Sequence, residues 1–180
     1  DRRITQFPFN VLLKGWATTT TNEDVEDSPE RCLRLFGEMA RLGQENNNLR
    51  PDEVTLSTVL QSFQRRGRIE EADDLLFEWV SRYEDDTEGS LPLMKNMFVF
   101  VMEGWAASDS SSVVDAPDRC LRLLTEMIRV ATRNGELSPD PTSYTTVLAT
   151  FRRHGRLEEA DQLLFTWVRE YEDSTDIPLD

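Results

Sequence analysis

The chain has 180 residues, 38% of them hydrophobic and 30% charged, and a formal net charge of −14 at pH 7. That balance belongs to a globular chain rather than a disordered one, and no apolar run reaches the ~20 residues of a membrane-spanning helix. Two cysteines, Cys32 and Cys120, and one histidine, His154, supply neither a clustered metal-ligand set nor a histidine-based dyad, so no catalytic residue, metal or cofactor is expected. The first residue is Asp1 rather than Met, and any targeting peptide is expected upstream of it.

In chain order, apolar spacing predicts helices near 5–18, 28–43, 52–66, 68–84, 92–107, 115–134, 140–154 and 156–173. Ser28-Pro29-Glu30 reads as a capping serine followed by proline and an acid in the first turn of the second helix. The segment 38–50 reads as an extension of that helix. Leu56, Val59, Leu60 and Phe63 line one face of the third helix; Ala72, Leu75, Leu76, Trp79, Val80 and Tyr83 line one face of the fourth. Gly67 and Gly155 fall between paired helices, where a left-handed cap is needed. The stretches 18–28 and 107–115 are polar surface loops. No alternating run argues for a sheet.

The chain is one unit written twice. Residues 51–86 and 139–174 are identical at 21 of 36 positions, an offset of 88. The run from Pro29 to Met39 answers that from Pro117 to Met127 at the same offset, and Gly15-Trp16-Ala17 answers Gly104-Trp105-Ala106 at 89. Each copy holds two helical hairpins. Such hairpins cannot bury their faces alone and must stack on their neighbours.

The residues 51–79, PDEVTLSTVLQSFQRRGRIEEADDLLFEW, resemble the pentatricopeptide repeat, as do residues 139–167, PDPTSYTTVLATFRRHGRLEEADQLLFTW. Both show the proline–aspartate step, the basic–glycine turn and the glutamate–alanine start of the second helix. FNVLLKGWA at 9–17 and FVFVMEGWA at 98–106 match less completely. Pro8, Thr55, Met97 and Ser143 open successive motifs 47, 42 and 46 residues apart, longer than the family's usual period. The tetratricopeptide repeat shares the hairpin geometry but lacks the proline–aspartate step. The resemblance implies an all-α fold, a right-handed α-α superhelix (solenoid) of four helix-turn-helix repeats. It is expected to run as a single solenoid over 1–180, with repeats near 5–50, 51–92, 93–138 and 139–180.

It also implies binding of single-stranded RNA, about one base per repeat. One reader sits early in each first helix and the other is the aspartate that closes the repeat. Carried over, Asn10 pairs with Asp52, a combination that favours uracil in the family. Ser57 pairs with Met94, which has no second polar contact to give. Val99 pairs with Asp140, and Val99 cannot hydrogen-bond a base. Thr145 pairs with Asp180, which would favour guanine. Arg65 and Arg153 match a position that faces the RNA backbone.

The acid is concentrated. Residues 69–92 net −8 and residues 157–180 net −7, whereas 51–68 net +1 and 139–156 net +2. The resemblance puts the second helices on the outer face, so the acidic total does not oppose RNA on the first helices. A groove with few cations is expected to bind weakly at physiological salt. Arg65, Arg66, Arg68, Arg152, Arg153 and Arg156 either contact phosphates or complement helix dipoles. The four tryptophans read as core and the cysteines as small packed residues. Glu70-Glu71 and Glu158-Glu159 read as first-turn acids.

Two functions follow as expectations. The first is an RNA-binding segment of an organellar protein, in mitochondrion or chloroplast, acting in transcript processing, stability or translation. The second is a non-catalytic structural or adaptor subunit of a large organellar complex, a ribosome or membrane assembly, partnered by its protein subunits. No membrane span is expected in either.

Overall fold

Helix caps and apolar stripes set where the elements of this chain begin and end. A computed structural model describes residues 5–18, 27–86, 93–108 and 115–175. Among the described residues the helices are α1 (Gln6–Thr18), α2 (Ser28–Gly43), α3 (Glu53–Arg65), α4 (Ile69–Asp85), α5 (Lys95–Ala107), α6 (Ala116–Ala131), α7 (Pro141–Arg153) and α8 (Leu157–Thr175). None of these residues is in a strand. The chain has the all-α helical-repeat fold, and it divides into two compact units, residues 1–104 and 105–180.

In the first unit α1 packs on α2 and α3, α2 on α3, and α3 on α4. The turn between α3 and α4 is three residues long, which folds the two helices back on each other. Gly67 holds φ +69° there, and Gly155 holds φ +73° at the matching turn between α7 and α8. A side chain at either would meet the left-handed penalty of about 1–2 kcal/mol. The core is built from Leu13, Cys32, Phe36, Met39, Leu56, Leu60, Phe63, Leu76 and Trp79, all buried. Phe36 and Trp79 meet with ring centroids 5.1 Å apart.

In the second unit α6 packs on α7 and α7 on α8. Cys120, Leu123, Leu124, Met127, Val147 and Phe151 are buried between them. Both cysteines sit in the cores as free thiols, in keeping with their reading as packed residues. Of the tryptophans, Trp79 and Trp105 are core residues, while Trp16 and Trp167 are half-buried. Trp167 stacks on Tyr144 at 4.3 Å. In the first unit, Met97, Phe98, Val101 and Met102 of α5 are buried and Val99 and Phe100 half-buried, which accounts for the apolar run from Met97 to Met102.

Three sequence expectations are corrected. Segment 38–50 is not one extended helix: α2 ends at Gly43, and a short 3-10 turn, Asn47–Leu49, follows. Asn46 is the cause, since its side chain accepts from the Asn48 N–H at 3.1 Å and opens a new turn. Asn134 does the same with Glu136, so α6 ends at Ala131 rather than near 134. Ser28 is not the cap of α2. Asp27 occupies that position without a side-chain cap bond, and Ser28 is buried, with its hydroxyl accepting from Arg66 Nε at 3.3 Å.

Candidate nucleic-acid interface

The expected readers are placed by helix starts. Asp52 precedes α3 in extended backbone, and its Oδ1 accepts from the Thr55 N–H at 2.9 Å and from the Thr55 hydroxyl at 2.7 Å. The Asp52 N–H returns a bond to Thr55 Oγ1 at 3.2 Å, closing a capping box. Asn10, on α1, lies with its Oδ1 3.2 Å from the same Thr55 oxygen. The first expected pair, Asn10 with Asp52, therefore converges on one hydroxyl. Thr55 has a single proton, and the shorter contact to Asp52 claims it. With Asn10 Oδ1 turned toward Thr55, the Asn10 N–H₂ is the group left to donate to a ligand.

The other readers are less complete. Ser57 is half-buried, with its hydroxyl enclosed and without a hydrogen-bond partner, and Met94 is exposed. Val99 is half-buried on α5. Asp140 caps α7, its Oδ1 accepting from the Ser143 N–H at 3.0 Å and from the Ser143 hydroxyl at 3.1 Å. Thr145 is exposed, and its hydroxyl donates to the Pro141 carbonyl at 2.6 Å. Asp180 lies outside the described residues.

The arginines hold the scaffold in both copies. Arg65 Nη1 donates to the Ala17 carbonyl at 3.4 Å, and Arg153 donates to the Ala106 carbonyl, so each reaches the end of the preceding first helix. Arg68 bonds Glu71 through Nε and Nη2, both at 2.6 Å, and Glu30 through Nη1 at 2.5 Å. Arg156 bonds Glu159 through Nε at 2.6 Å and Asp118 through Nη1 and Nη2, both at 2.8 Å. Arg68 also lies over the Phe63 ring and Arg156 over Phe151, each at 5.1 Å. Arg31 over Trp16 at 4.3 Å is repeated as Arg119 over Trp105 at 5.4 Å. Hydrogen bonds from these guanidiniums hold the Glu71, Asp118 and Glu159 carboxyls below their ordinary range.

Sequence reasoning used Thr55 only to mark the start of a motif and gave it no part in the site. The spacing Asp52-x-x-Thr55 is a reciprocal capping signature and was the signal available. Contact with Asn10 had none, because the two residues are 45 positions apart.

Two helix pairs, α3–α4 and α7–α8, are each joined by a tight basic–glycine turn and opened by an aspartate cap, the signature of a helical-repeat protein. The pentatricopeptide (PPR) repeat model matches residues 54–83 and 142–170, the pairs α3–α4 and α7–α8, so the chain carries two pentatricopeptide repeats. It is 22% identical over 157 residues to the "Small ribosomal subunit protein mL103 (rPPR7)" of Arabidopsis thaliana. That alignment covers 86% of this chain and 30% of the relative, so the chain spans under a third of that protein's length. Among the described residues no helix is long and apolar enough to cross a membrane.

Proposed function

We propose that the chain is a non-catalytic RNA-binding segment of an organellar pentatricopeptide protein, taking single-stranded RNA on its first helices. The convergence of Asn10 and Asp52 on Thr55 carries this reading. It fixes an amide and a carboxylate side by side, a donor–acceptor set suited to a base edge. Asn10 and Asp52 are assigned as the principal readers, favouring uracil, with Ser57, Asp140, Thr145 and Asp180 as accessory positions. Arg65 and Arg153 are the matching basic residues at the ends of α3 and α7. With so few cations the affinity is modest and falls steeply with salt.

Short single-stranded RNA pools, bound at low and at moderate salt, test this. Enrichment of uracil-containing sequences, lost when Asn10 and Asp52 are changed together, is the expected result. No salt-dependent binding would overturn it.

The adaptor reading has its own support. Arg68 and Arg156, the basic residues of the two turns, are each engaged by two acids, and the relative that aligns with most of this chain is named as a ribosomal subunit protein. On that reading the chain assembles into an organellar particle through protein contacts, and pull-down of ribosomal subunits insensitive to RNase would favour it over RNA binding.

A further inference from the structure

α2 ends at Gly43 and α6 at Ala131, and each time the chain passes through a 3-10 turn before it reaches the proline–aspartate step. The detour leaves a pocket beside the helix end. The first pocket lies against Gly43, Pro51 and Trp79, the second against Ala131, Pro139 and Trp167, the same positions 88 residues on. α5 packs against α3 and α4 at Gly104, yet among the described residues it lines no part of the first pocket. The hollow therefore comes from the linker and the hairpin it opens, and does not depend on the helix that follows.

The two pockets differ in what they hold. The first carries its own cations: Arg50 and Arg82 line it together with Asp85 and Asp86, and Arg50 Nε donates to the Gly43 carbonyl at 3.3 Å. In the second both guanidiniums are gone, since Ser138 stands for Arg50 and Glu170 for Arg82. Leu56, buried in the first copy, becomes Tyr144, which lines the second pocket. The Tyr144 ring stacks on Trp167 at 4.3 Å, and its hydroxyl donates to Glu170 Oε2 at 3.3 Å. Burial and the neighbouring Glu170 push the Tyr144 phenol up to about 12, so it stays protonated and a donor. The changes agree in chemistry. Two cations leave, and a carboxylate and an aromatic ring arrive, in a pocket of about 500 Å³.

Aromatic rings beside a carboxylate suit a cation. A guanidinium suits them better than an ammonium, because it is planar, more weakly hydrated and able to bond a carboxylate with two donors. A carboxylate accepts several hydrogen bonds at once, so the Tyr144 contact does not use Glu170 up. The same carboxylate repels phosphate, which makes a protein the source of the cation.

We infer that the second pocket takes an arginine side chain of a partner protein, its guanidinium against the Tyr144–Trp167 pair and bonded to Glu170. That arginine supplies from outside what Arg50 and Arg82 supply from within the first pocket. The site shares no residue with the RNA readers and does not depend on them.

The probe is the peptide acetyl-Gly-Arg-Gly-amide, titrated into the 180-residue chain and followed by the indole N–H signals in proton NMR, with Trp167→Phe assigning the Trp167 signal. That signal should shift and saturate. The same peptide with citrulline, neutral and of the same shape, should leave it in place. Glu170→Gln should keep the wild-type circular dichroism and weaken binding about tenfold, the worth of one hydrogen bond to a charged group. Glu158→Gln, on the same helix but outside the pocket, should bind as the wild type does. No saturable shift, an equal response to citrulline, unweakened binding by Glu170→Gln, or an equal loss in Glu158→Gln would overturn the inference.

Discussion

Arg156 grips Asp118 through two parallel hydrogen bonds of 2.8 Å, and so ties the turn between α7 and α8 to the first turn of α6. Arg68 and Glu30 make the corresponding tie one copy earlier, at 2.5 Å. The pairing is retained through the duplication although glutamate and aspartate differ, which marks it as a joint of the scaffold.

The joint gives the chain an acid-sensitive term. Hydrogen bonds from Arg156 lower the Asp118 and Glu159 carboxyls in the folded state. A lowered folded value means the contribution is complete above the ordinary carboxylate range and is lost as pH falls through the folded values. Arg156→Gln should therefore melt below the wild type at pH 7, with the gap closing in the acid range under the ordinary aspartate value of 3.8. High salt should narrow the gap at pH 7, since these side chains are partly exposed. Thermal melts at several pH values check both.

Glycines should respond by position. Gly155→Ala places a side chain at φ +73° and should cost about 1–2 kcal/mol. Gly104→Ala drives a methyl into Ile69 and should also destabilise. Gly15→Ala, in an exposed helix interior with open space, should instead stabilise by about 0.5–1 kcal/mol. Urea midpoints of the three variants give the comparison.

Asp52 has two roles that substitution can separate. Asp52→Ala removes the acceptor for Thr55 and should cost about 1 kcal/mol. Asp52→Asn keeps a cap and should leave stability nearly unchanged while altering base preference. If the asparagine variant destabilises as much as alanine, the carboxylate charge matters to the cap more than the hydrogen bond does.

Both thiols should be inert in the native state. Cys32 and Cys120 are fully buried, and burial pushes the Cys32 thiol above its ordinary value. A colorimetric disulfide reagent should titrate no thiol in buffer and two in denaturant.

The helices were legible in the sequence because the 88-residue repeat, the apolar stripes and the two turn glycines all pointed to the same hairpins. Local competition was harder to read. Asn46 and Asn134 end their helices by bonding backbone two residues on, a choice that periodicity does not register. Of the candidate interface, the aspartate caps follow from Asp-x-x-Thr and Asp-x-x-Ser spacing. Arginine partners do not, because Glu30 and Asp118 each lie 38 residues before the arginine they hold. The basic turns thus read as available charge, whereas Arg68 and Arg156 are engaged within the fold.

The reach of Arg65 to the Ala17 carbonyl, and of Arg153 to Ala106, gives the chain a direction of assembly. Thr18 bonds the Lys14 carbonyl locally, but the Ala17 carbonyl in the last turn of α1 receives its donor from a residue 48 positions later. On a ribosome, where the N-terminus emerges first, the first hairpin would wait for the end of α3 before it is finished, and α5 for the end of α7. A fragment cut between α2 and α3 should therefore fray at α1, while one cut beyond Arg68 keeps both the closure and its tie to Glu30.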